Sequence, residues 1–184
     1  MPHPLLILDL DETLIHGVKE PLADTPDFRV GPYFIYKRPG VHPFLSLCQE
    51  HFELAVWTSA SADYAEEVVT QLFPTLETLS FIWSSERCTM RFHHQLGTYV
   101  WIKNLTNVTR QGYALEQVLF VDDSPLVHML NYGNLVPVQP FRGDPRDQEL
   151  SLLGPYLLKL KQKENFRRIE KRFWRNDYRS ETGA

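Results

Sequence analysis

Apolar residues in this chain come in short, nearly continuous runs that stop abruptly at polar clusters. Leu5-Leu6-Ile7-Leu8 is followed at once by Asp9 and Asp11, residues 52–57 by Thr58-Ser59-Ala60-Ser61, and Val118-Leu119-Phe120-Val121 by Asp122-Asp123-Ser124-Pro125. Runs of this length without polar alternation predict strands buried on both faces, as in the middle of a parallel sheet. Leu79–Trp83 and residues 135–138 predict two more. Between the runs the period changes. Val41, Phe44, Leu45 and Cys48 recur at helical spacing and predict a helix over 41–51. Tyr64, Ala65, Val68, Val69 and Leu72 predict a second, with Ser59 or Ser61 as its N-cap. Residues 149–163, and on to about 174, predict a C-terminal helix with a break near Glu164-Asn165.

Two stretches depart from this alternation. Residues 14–27 are polar and irregular, and Pro21 and Pro26 exclude a long helix there. Phe28-Arg29-Val30 and Tyr33-Phe34-Ile35-Tyr36 then flank Gly31-Pro32, which predicts a β-hairpin overhanging the first strand's carboxyl end. Its aromatics either line a groove or pack the hairpin down. Residues 84–100 carry no clear pattern. Cys88, His93 and His94 lie there, but their spacing fits no standard zinc site and a fourth ligand is missing.

Strand and helix in alternation specify an α/β fold, a doubly wound, Rossmann-like parallel sheet with right-handed crossovers. Ligands bind such sheets outside the strands' carboxyl ends. Asp9, Asp11, Thr58, Asp122 and Asp123 therefore share one rim, and Lys103, at the end of another apolar stretch, can reach it. Asp9 and Asp11 leave the same face of an extended chain. Carboxylates that close repel, and a divalent cation relieves the repulsion. Oxygen-only ligation favours a hard ion, here Mg²⁺.

Composition adds limits. The chain has 184 residues, 43% hydrophobic and 23% charged, which suits one globular domain. No apolar run approaches the ~20 residues that span a bilayer. Neither a basic segment nor a cleavage pattern marks the start, so no signal peptide is expected. Two cysteines in such a chain read as free thiols in a reducing compartment, cytoplasmic, or nuclear in a eukaryote. Charge is uneven. Nine of the 19 bases and only three acids lie between Lys159 and Arg179, so this segment is +6 while the whole chain is −4. Phe166, Ile169 and Phe173 sit at helical spacing among those bases. A basic helix could meet an acidic partner or nucleic acid, or could pack on its own domain. The expected division is a domain over 1–160 and a basic C-terminal helix and tail over 161–184 that packs on that domain.

The rim residues match the needs of phosphoryl transfer: a nucleophile, a neutralising cation, donors for phosphate oxygens and an acid for the leaving group. Asp9 can attack phosphorus to form an aspartyl-phosphate. Asp11 can protonate the leaving oxygen and later deprotonate water. Thr58 and Lys103 can hold phosphate oxygens, and Ser59 begins a helix N-terminus suited to an anion.

Asp9-Leu10-Asp11-Glu12-Thr13-Leu14, Trp57-Thr58-Ser59-Ala60, Lys103 and Asp122-Asp123-Ser124-Pro125 resemble the four motifs of the haloacid dehalogenase superfamily of phosphatases. Lys37-Arg38-Pro39-Gly40, Tyr64-Ala65 and Glu86-Arg87-Cys88 extend the resemblance to its FCP/SCP-like (NIF-domain) branch. The resemblance implies Asp9 as nucleophile and Asp11 as general acid/base. It implies Mg²⁺ on Asp9, the Asp11 carbonyl and Asp123, with Asp122 orienting Lys103 or a metal-bound water. Family members often carry Asn where Asp123 stands. They usually read Tyr-Val-Lys, where this chain has Trp101 and Ile102 before Lys103. Residues 14–52 have room only for a hairpin and a helix, and 72–103 only for a strand and a loop. The expected enzyme is thus capless, with a small β-hairpin flap and an open site suited to phosphoserine or phosphothreonine in a protein. Tyr64 and Arg87 are candidate groove residues. The competing readings are a nucleic-acid 3′-end phosphatase, resting on the basic helix, and a catalytically silent binding module.

Overall fold

The computed structural model describes residues 3–176. Its centre is a five-stranded parallel sheet in the order β10-β9-β1-β5-β6, formed by β1 (Leu5–Leu8), β5 (Glu53–Trp57), β6 (Leu79–Trp83), β9 (Val118–Asp122) and β10 (Leu135–Pro137). β1 is central because all four of its residues are apolar and buried, so both of its edges and both of its faces are used. Alternation divides the interior. Leu6, Leu8, Leu54, Val56, Leu119 and Val121 face a large core, and Leu5, Ile7, Ala55, Trp57, Val118 and Phe120 a smaller one.

Three helices cover the larger core: α1 (Val41–His51), α2 (Ala62–Leu72) and α4 (Glu149–Lys161). Each turns its apolar stripe inward; α1 buries Val41, Phe44, Leu45 and Cys48, and α2 buries Ala65, Val68, Val69 and Leu72. The short α3 (Thr106–Thr109) covers the other face through Leu105 and Val108. Helices on both faces give the doubly wound arrangement, with helix and strand where the apolar periods place them. No helix among the described residues is long and apolar enough to cross a membrane.

Three segments differ from the sequence reading. The stretch after Leu14 is not irregular throughout. Ile15–Val18 forms β2, which pairs with β4 (Tyr33–Lys37), itself paired with β3 (Phe28–Val30). The flap is therefore a three-stranded antiparallel sheet in the order β2-β4-β3 and not a hairpin alone. Ile-His-Gly-Val has little strand character, and cross-strand pairing supplies what propensity does not. Residues 84–100 contain more than a loop: β7 (Thr89–His93) and β8 (Thr98–Ile102) form an antiparallel hairpin. Among the described residues, Cys88, His93 and His94 form no metal-ligating cluster.

The third difference is the C-terminal segment. No helix continues to residue 174. α4 ends at Lys161, and a 3-10 turn follows at Phe166–Arg168, where the Asn165 side chain accepts from the Arg167 N–H and starts the turn. Phe166 is buried but Phe173 is 61% exposed, so the expected stripe does not exist. Trp174 is the buried residue instead: it stacks on Tyr156 and donates from Nε1 to the Pro137 carbonyl. Much of the positive charge there has partners within the fold. Lys171 Nζ is buried and donates to the carbonyls of Gly133, Phe166 and Ile169, while Arg175 pairs with Glu149 and Arg172 with Glu170. Asp177 to Ala184 lie outside the described residues.

Candidate active site

The central strands place their polar ends together. β1 stops at Leu8 because the chain turns sharply: the N–H groups of Thr13, Leu14 and Ile15 all reach the Leu10 carbonyl, and Glu12 takes a positive φ of 57°. This turn holds Asp9 and Asp11 over the strand ends. β5 ends at Trp57, so Thr58 and Ser59 follow on the same rim. β9 ends at Asp122. One cavity of about 380 Å³ is lined by Asp9, Asp11, Thr58, Ser59, Lys103, Asp122 and Asp123. Tyr64 donates to Asp11 Oδ1 at 2.6 Å and lines an adjoining cavity of about 310 Å³ with Gly17 and Tyr33. Arg87 is not brought into the rim cavity. It lies over the Trp83 ring and lines a separate hollow with Glu66 and Glu86.

The acids are held by a cation from the chain itself. Lys103, only 1% exposed, lies 2.6 Å from Asp9 Oδ1 and 2.7 Å from Asp122 Oδ2. Burial alone would weaken the lysine's hold on its proton, but Asp122 and Asp9 outweigh that and raise its pKa. Asp122 is tied further. His128 Nε2 is 2.9 Å from the same Oδ2, and the Ser124 N–H donates to Oδ1 at 2.8 Å. Burial disfavours the Asp122 charge, yet Lys103 and His128 override it and hold the carboxyl below the usual range.

Asp9 is placed differently. Burial and the neighbouring Asp122 push its pKa well up, and Lys103 pulls it back. Its Oδ2 accepts from Thr13 Oγ1 at 3.1 Å, and that hydroxyl accepts from the Asp123 N–H at 3.2 Å, so Thr13 links the two acidic turns. Burial also raises Asp11, although the Tyr64 hydroxyl opposes it. Asp123 is pushed up to about 6 by burial and then by Asp122 and Glu12.

Asp9, Asp122 and Asp123 present carboxylate oxygens within 4.8 Å of one another, an all-oxygen set that fits a hard divalent cation. Asp122 already accepts from three donors, which leaves Asp9 and Asp123 as the carboxylates with ligand capacity.

Two contributors lie outside the residues singled out from sequence. Thr13 sits inside the first motif, but nothing in its spacing marks it as the bridge to Asp123. His128 is six residues beyond Asp122 on a 3-10 turn, where a lone histidine between apolar residues gives no periodic signal. Behind the rim, the buried Arg38 forks onto Asp147 at 2.8 Å from both Nε and the terminal nitrogen. It also donates to the carbonyls of Thr13 and Gln139, bracing the first turn from below.

The sequence matches the NLI interacting factor-like phosphatase family over residues 4–167. A probable C-terminal domain small phosphatase of Dictyostelium discoideum is 32% identical over 160 residues, covering 83% of this chain and 49% of the relative. CTD nuclear envelope phosphatase 1 of Xenopus tropicalis is 32% identical over 168 residues, covering 83% of this chain and 65% of the relative. The chain thus spans about half to two thirds of the length of these two relatives. Among solved structures, Fcp1, described as an essential RNA polymerase II CTD phosphatase, aligns with a TM-score of 0.71 over 98% of this chain and 66% of its own, at 20% identity. That likeness bears on the fold alone. The match over residues 4–167 takes in all five strands of the central sheet and every residue of the rim cavity, and the chain belongs to the NLI interacting factor-like phosphatases.

Proposed function

We propose that the protein is a Mg²⁺-dependent phosphatase that works through an aspartyl-phosphate, with phosphoserine or phosphothreonine in proteins as its substrate class. The observation that carries this is the single lysine ammonium shared by Asp9 and Asp122, in the cavity that Asp123, Asp11 and Thr58 also line. Asp9 attacks phosphorus; the bond to the leaving oxygen breaks, and Asp11 supplies the proton that oxygen needs. Water then attacks the same phosphorus, Asp11 takes its proton, and inorganic phosphate leaves as the Asp9 carboxylate is restored. Lys103 and Thr58 bind the phosphoryl oxygens, Lys103 as a point charge. Mg²⁺ held by Asp9 and Asp123 would supply the positive charge that lets one anion approach another.

The depth of the site supports the substrate class. Asp9 is 6% exposed, and the adjoining cavity beside Asp11 lies between the β2-β4-β3 flap and the start of α2. A phosphate on a projecting side chain can enter while the rest of the polypeptide stays outside, with Tyr33 and Tyr64 beside it. The nucleic-acid reading rests on one basic helix along the C-terminal segment; among the described residues α4 ends at Lys161, and only a 3-10 turn at Phe166–Arg168 and a helical turn over 174–176 follow. Hydrolysis of p-nitrophenyl phosphate with Mg²⁺, lost on adding chelator, tests the enzymatic reading against a silent binding module. A phosphoserine peptide compared with a 3′-phosphorylated oligonucleotide tests the substrate class; preference for the oligonucleotide would overturn it.

A further inference from the structure

We infer that His128 is a positioning residue: it fixes the Asp122 carboxylate, which in turn aims Lys103 at Asp9 and at the incoming phosphoryl group. The inference rests on the phosphatase reading and goes beyond it, because it gives a role to a residue outside the motifs. His128 is fully buried, and Nε2 lies 2.9 Å from Asp122 Oδ2, the same oxygen that holds Lys103 Nζ at 2.7 Å. The ring lies against Phe120, with centroids 4.2 Å apart, and Lys103 Nζ is 5.0 Å from the centroid of that same Phe120 ring. Phe120 thus fixes the height of both donors on the oxygen. Nδ1 has no partner in its buried surroundings, whereas a bare lone pair there is tolerable, so the geometry selects the tautomer with hydrogen on Nε2. His128 then donates to Asp122.

The consequence is mechanical. A buried carboxylate held by one donor can rotate about its terminal bond, and a lysine on a flexible stem follows it. Asp122 is pinned on Oδ1 by the Ser124 N–H and on Oδ2 by His128, so its plane is set before Lys103 binds. Removing partners of this outer kind from metal and catalytic sites typically costs about 10- to 100-fold.

The test uses His128→Leu, which keeps bulk but removes the donor, and His128→Gln, whose side-chain amide nitrogen can take the place of Nε2. With p-nitrophenyl phosphate and Mg²⁺, His128→Leu is expected to raise both KM and the inhibition constant for inorganic phosphate about tenfold and to lower kcat. His128→Gln is expected to recover most of the loss. A purely structural role would reduce the active fraction and leave both constants unchanged, and that result overturns the inference, as does Gln behaving like Leu. Crystal structures of both variants give a readout that needs no activity. Lys103 Nζ should leave Asp9 Oδ1 in the Leu variant and keep it in the Gln variant, and an unmoved lysine in the Leu variant also overturns the inference. If wild-type protein hydrolyses no phosphomonoester, the phosphatase reading fails while these structures still decide the question of position.

Discussion

Lys103 and Asp9 form a buried ion pair, Nζ to Oδ1 at 2.6 Å, across 94 residues of sequence. The two partners do not matter equally to the fold. Asp9 is crowded by Asp122, so its charge is held at a cost that burial sets. Lys103 is the cation that lets two buried carboxylates coexist. Asp9→Asn should therefore lower turnover by on the order of 10⁴-fold or more while thermal unfolding stays the same or moves up. Lys103→Met leaves two buried charges without their cation and should cost about 3 kcal/mol or more in denaturant titrations. A Lys103→Met protein as stable as wild type would contradict this picture of the site.

Asp123 gives a pH dependence with a definite sign. Its pKa is raised to about 6 in the folded protein, so between the ordinary carboxylate range and pH 6 the folded state binds the proton more tightly than the unfolded chain does. In chelator, its contribution to stability is present at low pH and is lost as pH rises through about 6. Asp123→Asn should then be more stable than wild type at pH 7.5 without metal, and the advantage should fade towards pH 5. Adding Mg²⁺ should stabilise wild type and do little for the variant, since ligand binding to the native state alone raises stability. Melting curves of both proteins at two pH values, with and without Mg²⁺, check all three parts.

Tyr64 tunes the candidate general acid. Its hydroxyl donates to Asp11 Oδ1 at 2.6 Å, which favours the charged carboxylate and opposes the upward push of burial. Tyr64→Phe should raise the Asp11 pKa further and move the basic limb of the kcat profile for an alkyl phosphate upward, with a rate change of a few-fold to about tenfold. Gly17 reports on the same contact from β2. A Cβ at Gly17 would lie 2.8 Å from the Tyr64 hydroxyl oxygen and 3.1 Å from Ile35 Cδ1. Gly17→Ala should push the hydroxyl off Asp11 and shift the pH profile in the same direction. A shift the other way in either variant would show that Tyr64 does not act on Asp11 by donation.

How much of this could be seen in the sequence follows from what each residue answers to. β1, β5 and β9 were legible because strands buried on both faces need uninterrupted apolar runs, and their polar ends mark the rim. Asp9, Asp11, Thr58 and Asp122 follow from strand ends alone, whereas Lys103 reaches the rim only because the chain folds back across 94 residues, which no local pattern marks. β2 was not legible: His16 and Gly17 weaken its strand character, and it forms because β4 offers a partner. His128 and Thr13 act through contacts 6 and 110 residues away that no local period records. At the C-terminus a helical spacing was present by composition, but the chain buries Trp174 rather than Phe173, so tertiary packing overrode the period.

That override can be measured. Trp174 is fully buried, stacks on Tyr156 of α4 with ring centroids 5.2 Å apart, and donates to the carbonyl of Pro137 in β10. It joins residues after α4 to the sheet edge beside β9, the strand that delivers Asp122. If residues 163–176 are part of the domain core and not an appendage, Trp174→Ala should destabilise by about 3–5 kcal/mol, the range for an aromatic removed from a packed interior. Trp174→Phe, which keeps the stack and loses the hydrogen bond, should cost a smaller share of that. Ending the chain at Gln162 would remove Phe166, Lys171 and Trp174 together, exposing the apolar surface they cover and the Gly133 carbonyl that Lys171 caps. Such a truncated protein should unfold at a lower temperature than the Trp174→Ala variant and lose hydrolysis of p-nitrophenyl phosphate in proportion to the fraction unfolded. Full stability in the truncated protein would show instead that the segment is a separable tail.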